Sequence, residues 1–131
     1  MTRINIVPVE ELSDQHLIAE YNELPRCLKQ KVNLSDAPSN YKLGKGHVKW
    51  AQNHCKFILN RFSQIISEME FRGFNHKYTT DGLSLFNNND YNVTINDIMI
   101  NRNRIKERFN LKPNWYRWTK RNKPLWLIDG E

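Results

Sequence analysis

Ala51, Cys55, Ile58, Phe62, Ile65 and Met69 recur at spacings of three and four, and that period admits one kind of element. Steps of three and four place all six on one stripe of an α-helix, whereas a strand requires alternation at period two. Gly46 precedes the run and Gly73 follows it, where a left-handed C′ residue ends a helix. Its place near the middle of the 131-residue chain makes it the expected central packing element.

Two further segments carry the same period. Ser13 is a good N-cap with Asp14 in the first turn, where the helix dipole favours negative charge. Leu17, Tyr21, Leu24 and Leu28 then mark one helical face, and Pro25 is expected to kink it because proline lacks the N–H that bonds one turn back. Ile95, Ile98, Arg102, Ile105 and Phe109 outline a third helix ending before Pro113. Between helices, Thr79-Thr80-Asp81-Gly82 and Asn87-Asn88-Asn89-Asp90 read as turns and loop. No stretch alternates long enough to demand a sheet. The expected fold is all-α: one compact domain over residues 1–131, of about three helices, with an N-terminal arm and an irregular basic-aromatic C-terminal tail. Hydrophobic residues are 39% of the chain, enough for one core built from narrow apolar stripes.

The formal charge of +6 makes an anionic partner plausible. Arg102, Arg104, Lys106, Arg108, Lys112, Arg117, Lys120, Arg121 and Lys123 crowd the C-terminal segment with Glu107 as the one acid among them. Trp115, Tyr116, Trp118 and Trp126 are interleaved, so the tail can hold phosphates and stack on bases. The same composition also fits a solvated basic helix whose aromatics pack back onto the core. Cys27 and Cys55 fit no metal-ligand spacing, and His54 reads as a helix-surface residue. No apolar run suits a signal peptide or membrane span, so a reducing, cytoplasmic setting with free thiols is expected.

On the first helix His16, Ala19, Glu23 and Arg26 form a second stripe away from the apolar one. A solvent-exposed face has the same appearance. Met1 stands before the small Thr2, a setting in which the methionine is commonly trimmed. The freed Thr2 α-amine would titrate near ~7.7–8.0, against ~10.4 for a lysine. It would therefore be a nucleophilic nitrogen around neutral pH, capable of forming Schiff bases.

Four motifs in register carry a likeness to a known family. They are Thr2-Arg3-Ile4-Asn5 with Asp14-Gln15-His16-Leu17, Ala19-Glu20-Tyr21 and Glu23-Leu24-Pro25-Arg26; Leu43-Gly44-Lys45-Gly46-His47-Val48; Arg72-Gly73-Phe74-Asn75 with Thr79-Thr80; and Pro113-x-Trp115-Tyr116-Arg117-Trp118. The chain resembles the phage-type endonuclease V family, the pyrimidine-dimer DNA glycosylase/AP lyases. The resemblance implies Thr2 as nucleophile at sugar C1′ and Glu23 as the carboxylate that stabilises the developing charge or relays protons. It implies Arg3 and Arg26 as phosphate clamps, Arg being suited by its planar donors. His16 stands between a substrate role and a packing role. Tyr116, Arg117 and Lys120 would lie beside the distorted duplex.

The family's prototype carries Arg before the catalytic Glu, and here that position is Asn22, which can donate a hydrogen bond but brings no charge. The resemblance further implies a monomer acting on double-stranded DNA that contains damaged pyrimidines, with a base flipped from the opposite strand. No cofactor, metal or membrane is implied. Two other readings stay open: a lyase-type glycosylase for another damaged pyrimidine, and a non-catalytic DNA-binding helical protein.

Overall fold

The computed structural model describes residues 4–83 and 85–128. Among these residues the elements are five α-helices and two 3-10 turns, with no strand. The helices are α1 (Asp14–Lys29), α2 (His47–Gln52), α3 (Cys55–Arg72), α4 (Ile95–Leu111) and α5 (Leu125–Ile128); the 3-10 turns are Val9–Glu11 and Thr80–Gly82. The all-α expectation holds.

In α1, Ser13 caps as expected, its side chain accepting the His16 N–H at 3.0 Å. Leu17, Tyr21, Leu24 and Leu28 are all buried. The helix runs through Pro25 as one element. Gly73 ends α3 at φ 86°, with Phe74 N–H donating to Met69 O and Gly73 N–H to Glu70 O. That pair of bonds is a Schellman motif, which glycine enters without steric penalty.

The central run is not one helix, although its six apolar residues are all buried. It breaks at Asn53 and His54 into α2 and α3. A break frees backbone groups that need partners, and the asparagine loop supplies them. Asn87 Oδ1 accepts the Cys55 N–H at 3.1 Å, Asn87 Nδ2 donates to Gln52 O at 2.9 Å, and Asn89 Nδ2 donates to Asn53 O at 2.9 Å. His54 corrects a second expectation. It is buried, its Nδ1 donates to Trp50 O at 2.7 Å, and its ring packs against both Trp50 and Tyr91.

The packed stripe of α4 also differs from the apolar pattern. Ile95 is 82% exposed, while Asp97, Asn101, Ile105 and Phe109 are buried. Asp97 closes a capping box with Thr94 and accepts the Tyr91 hydroxyl at 2.6 Å. Asp97 and Asn101, polar side chains with dedicated partners, take the inner positions of the first half of the helix, while Ile105 and Phe109 are buried as the period predicts.

A buried ion pair ties α1 to α3. Arg61 Nε donates to Glu20 Oε2 at 2.8 Å and Nη2 to Oε1 at 3.0 Å, while Nη1 reaches Val7 O at 2.6 Å. Glu20 also accepts from Asn5 Nδ2 at 3.0 Å. Both side chains are almost wholly out of water, so removing one partner strands a desolvated charge. Arg61→Met is expected to lower stability by about 3–5 kcal/mol. The companion Arg61→Met/Glu20→Leu should recover a large part of that loss in denaturant melts, because the stranded carboxylate is gone.

Candidate active site

The arm from Ile4 to Val7 has no strand partner, yet each of its described polar bonds runs to a side chain. His47 Nε2 accepts the Ile4 N–H at 3.1 Å, and the Tyr41 hydroxyl donates to Ile4 O at 2.8 Å. Asn101 Oδ1 accepts from Ile6 N–H at 2.7 Å and Val7 N–H at 3.0 Å, while its Nδ2 donates to Asn5 Oδ1 at 2.8 Å. With the Asn5–Glu20 and Arg61–Val7 bonds, the arm is fixed on α1, α3 and α4 at once. Buried peptide groups must be paired. Here side chains do the pairing.

Beside the arm lies a cavity of about 240 Å³. It is lined by Asn5 of the arm, by Gln15, His16, Ala19 and Glu20 of α1, by Arg104, Ile105 and Arg108 of α4, and by Trp115 and Tyr116 of the tail. The His16 and Tyr116 rings stack face to face, with centroids 4.9 Å apart and planes 3° apart. Ser13 Oγ lies 2.8 Å from His16 Nδ1. Burial lowers the His16 pKa from 6.5 to about 4, and the Arg108 charge adds to the shift. At neutral pH His16 is therefore an uncharged aromatic plate, unsuited to hold phosphate as a cation.

The depressed pKa sets a sign for the pH dependence of stability. Unfolded chains take up a proton at His16 as pH falls below 6.5, and folded chains do so only near 4. Stability from this residue is thus present at neutral pH and drains away between those two values. His16→Phe, which keeps an aromatic face on Tyr116, is expected to lose less melting temperature than the parent between pH 7 and pH 5. An equal loss in both proteins would refute the assignment to His16.

The tail is anchored on the start of α1. Asp14 N–H donates to Arg117 O at 2.7 Å, Arg117 N–H to Gln15 Oε1 at 3.1 Å, and Thr119 Oγ1 to Asp14 Oδ2 at 2.6 Å. Trp118 Nε1 donates to Glu11 O at 3.0 Å, whereas Trp115 stays 56% exposed at the cavity mouth. Part of the tail's positive charge is already engaged. Glu68 holds Arg121, whose guanidinium lies 4.1 Å from the Phe71 ring centroid, and Glu11 faces Arg102 at 3.4 Å.

The expected site residues fall into separate groups. His16 and Tyr116 meet in the cavity. Glu23 and Arg26 meet further along α1, Arg26 Nη1 donating to Glu23 Oε2 at 3.0 Å. Asn22 is exposed and borders a groove with Ile18, Tyr21, Met69, Gly73, Phe74 and Asn75. Arg117 turns its Nη1 to the carbonyls of Asn114 and Tyr116. Lys120 adopts φ 61° with its Nζ 5.9 Å from the Phe71 ring centroid, away from the cavity. Thr2 and Arg3 lie outside the described residues.

Sequence reading did not single out Asn5, Glu20, Arg61, Asn101, Arg104 or Arg108 as individual site residues. Glu20 and Asn5 lie inside the family-like motifs without an implied role, and Asn101 offers no signal, being one polar residue in an amphipathic helix. Among the described residues no group of three or more His, Cys, Asp or Glu could hold a metal ion, and no helix is long and apolar enough to cross a membrane.

An arm pinned to four helices beside a cavity that joins carboxylate, guanidinium and aromatic groups is the architecture of a site, and its sequence has known relatives. The sequence model of the pyrimidine dimer DNA glycosylase family matches residues 1–81, covering the arm, α1, α2 and α3. The chain belongs to this family, whose members are DNA-repair glycosylases acting on DNA with pyrimidine dimers. Helix α4 and the aromatic tail, which complete the cavity, lie beyond the matched segment.

Proposed function

We propose that the protein is a bifunctional glycosylase and AP lyase for UV-induced pyrimidine dimers in duplex DNA, with the Thr2 α-amine, freed by removal of Met1, as its nucleophile. The nitrogen forms a bond to C1′ while the glycosidic bond breaks, its electron pair leaving with the base. The C1′–O4′ bond then opens with its electron pair going to O4′, which takes up one proton from the amine, and loss of the second amine proton gives the imine. Loss of a 2′ proton then expels the 3′ phosphate and cuts the strand. Glu23 stabilises positive charge on the sugar or relays protons in the elimination. Arg3 and Arg26 bind flanking phosphates, Asn22 donates a neutral hydrogen bond nearby, and Tyr116, Arg117 and Lys120 meet the distorted duplex.

The observation that carries this reading is the family match, which spans the entire arm and α1. The arm's geometry supports it. Thr2 stands two positions before Ile4, whose N–H and C=O both have fixed partners. Covalent geometry, at 3.8 Å between successive Cα atoms, keeps the amine close to that anchor. Glu20 binds Asn5, and Glu23 follows three positions later on the same side of α1.

The test is borohydride trapping on abasic-site DNA, followed by peptide mapping of the adduct. The expected product is a covalent link at the Thr2 nitrogen. A link on any lysine overturns the assignment, and no adduct at all overturns the lyase reading.

A further inference from the structure

The segment Leu43–Val48 has no part in the chemistry proposed above, yet its structure is built around the arm. Gly44 and Gly46 adopt φ of 72° and 93°. Those values favour glycine, and at Gly46 a Cβ would also come within 3.1 Å of Pro38 Cγ. This tight turn delivers His47 to the start of α2 as a buried side chain. Its Nδ1 lies 2.8 Å from Lys42 O, a pure acceptor, so Nδ1 carries the proton and donates. Nε2 is left as the acceptor for the Ile4 N–H. Tyr41, from the same loop, donates to Ile4 O, and its ring packs edge-on to His47 at 5.8 Å. One loop therefore grips both polar groups of Ile4, a residue that is itself fully buried.

We infer that His47 is a positioning residue for the terminal amine: by accepting the Ile4 N–H at Nε2 it fixes the Ile4 peptide group to which the two preceding residues are joined. This rests on the proposed Thr2 nucleophile. A nucleophile must approach along a narrow path, and displacement by about 1 Å can cost ~10²-fold in rate. An arm free to pivot at Ile4 spreads the amine over many directions of approach. The rest of the arm stays held by Asn101 and Arg61, so the loss is one of aim more than of fold.

The experiment compares His47→Leu with His47→Gln in the full chain, by single-turnover imine formation on preformed abasic-site duplex. Gln presents its amide oxygen near the place of Nε2 and keeps an acceptor; Leu does not. His47→Leu is expected to slow trapping by about 10- to 100-fold with duplex affinity unchanged, and His47→Gln to recover most of the rate. Equal losses in both variants, in step with their melting temperatures, overturn the inference, as does a parental rate in His47→Leu. If His47→Leu does not fold, His47→Asn, whose shorter amide reaches the place of Nδ1 beside Lys42 O but not that of Nε2, removes the same acceptor. Slower trapping at parental affinity supports the inference, and an unchanged rate overturns it. Mapping the parental adduct separates the two proposals: a link away from Thr2 defeats the nucleophile itself, whereas a Thr2 link with no distinction between Leu and Gln defeats only the role of His47.

Discussion

Blocking the Thr2 amine, by acetylation or by retention of Met1, is expected to abolish borohydride trapping on abasic-site DNA while leaving duplex binding intact. The two blocks act differently. In either case the Thr2 nitrogen becomes an amide whose lone pair is delocalised into the carbonyl, so it no longer attacks carbon. Acetylation leaves no terminal amine, whereas retained Met1 carries one displaced by about 3.8 Å of backbone. An arm held at Ile4 through Val7 by His47, Tyr41, Asn101 and Arg61 cannot retract to compensate. Neither change removes Arg26 or the basic tail residues Arg117 and Lys120, to which duplex binding is assigned in the proposed function. The measurement is gel-resolved trapping beside a binding titration of matched preparations. Undiminished trapping in the acetylated protein would show that another amine performs the chemistry.

Glu23→Gln is expected to lower dimer-specific glycosylase turnover by about 10²–10⁴-fold, the usual contribution of a positioned carboxylate. Gln copies the shape and loses the charge. Arg26 donates to Glu23 Oε2 from one turn away, and a Gln oxygen can keep that hydrogen bond, so folding and affinity should be spared. The effect belongs to the step in which positive charge grows at C1′, and it should appear in the single-turnover rate. Activity within tenfold of the parent, about 1.4 kcal/mol of barrier, would reduce Glu23 to a surface acid paired with Arg26.

Helical class was legible because the periods are local. Leu17, Tyr21, Leu24 and Leu28, and likewise Ala51, Cys55, Ile58, Phe62, Ile65 and Met69, are spaced for burial, and each of them is buried. Caps are local too: Ser13 and Gly73 act within a few residues of themselves. Elsewhere the periodic signal misled. It joined α2 to α3 across Asn53 and His54, because the Asn87 and Asn89 side chains that satisfy the break arrive from more than thirty residues away. It set Ile95 inward on α4, where Asp97 and Asn101 take the inner positions ahead of the buried Ile105 and Phe109.

Helical periods, positive charge and family-like motifs are local to the sequence, and the family match over residues 1–81 bears out the three motifs that fall within it. How the arm is held and what surrounds it depend on contacts made across the fold. Asn101 binds Ile6 across 95 positions, His47 binds Ile4 across 43 and Arg61 binds Glu20 across 41. His16 reads from sequence as an open choice between substrate and packing. Stacked on Tyr116 and desolvated, it becomes a neutral plate in a cavity wall. The physical reason is common to all four. A side chain's partner, burial and charge state are properties of the space around it, and a linear pattern carries only the part of that space its own helix creates.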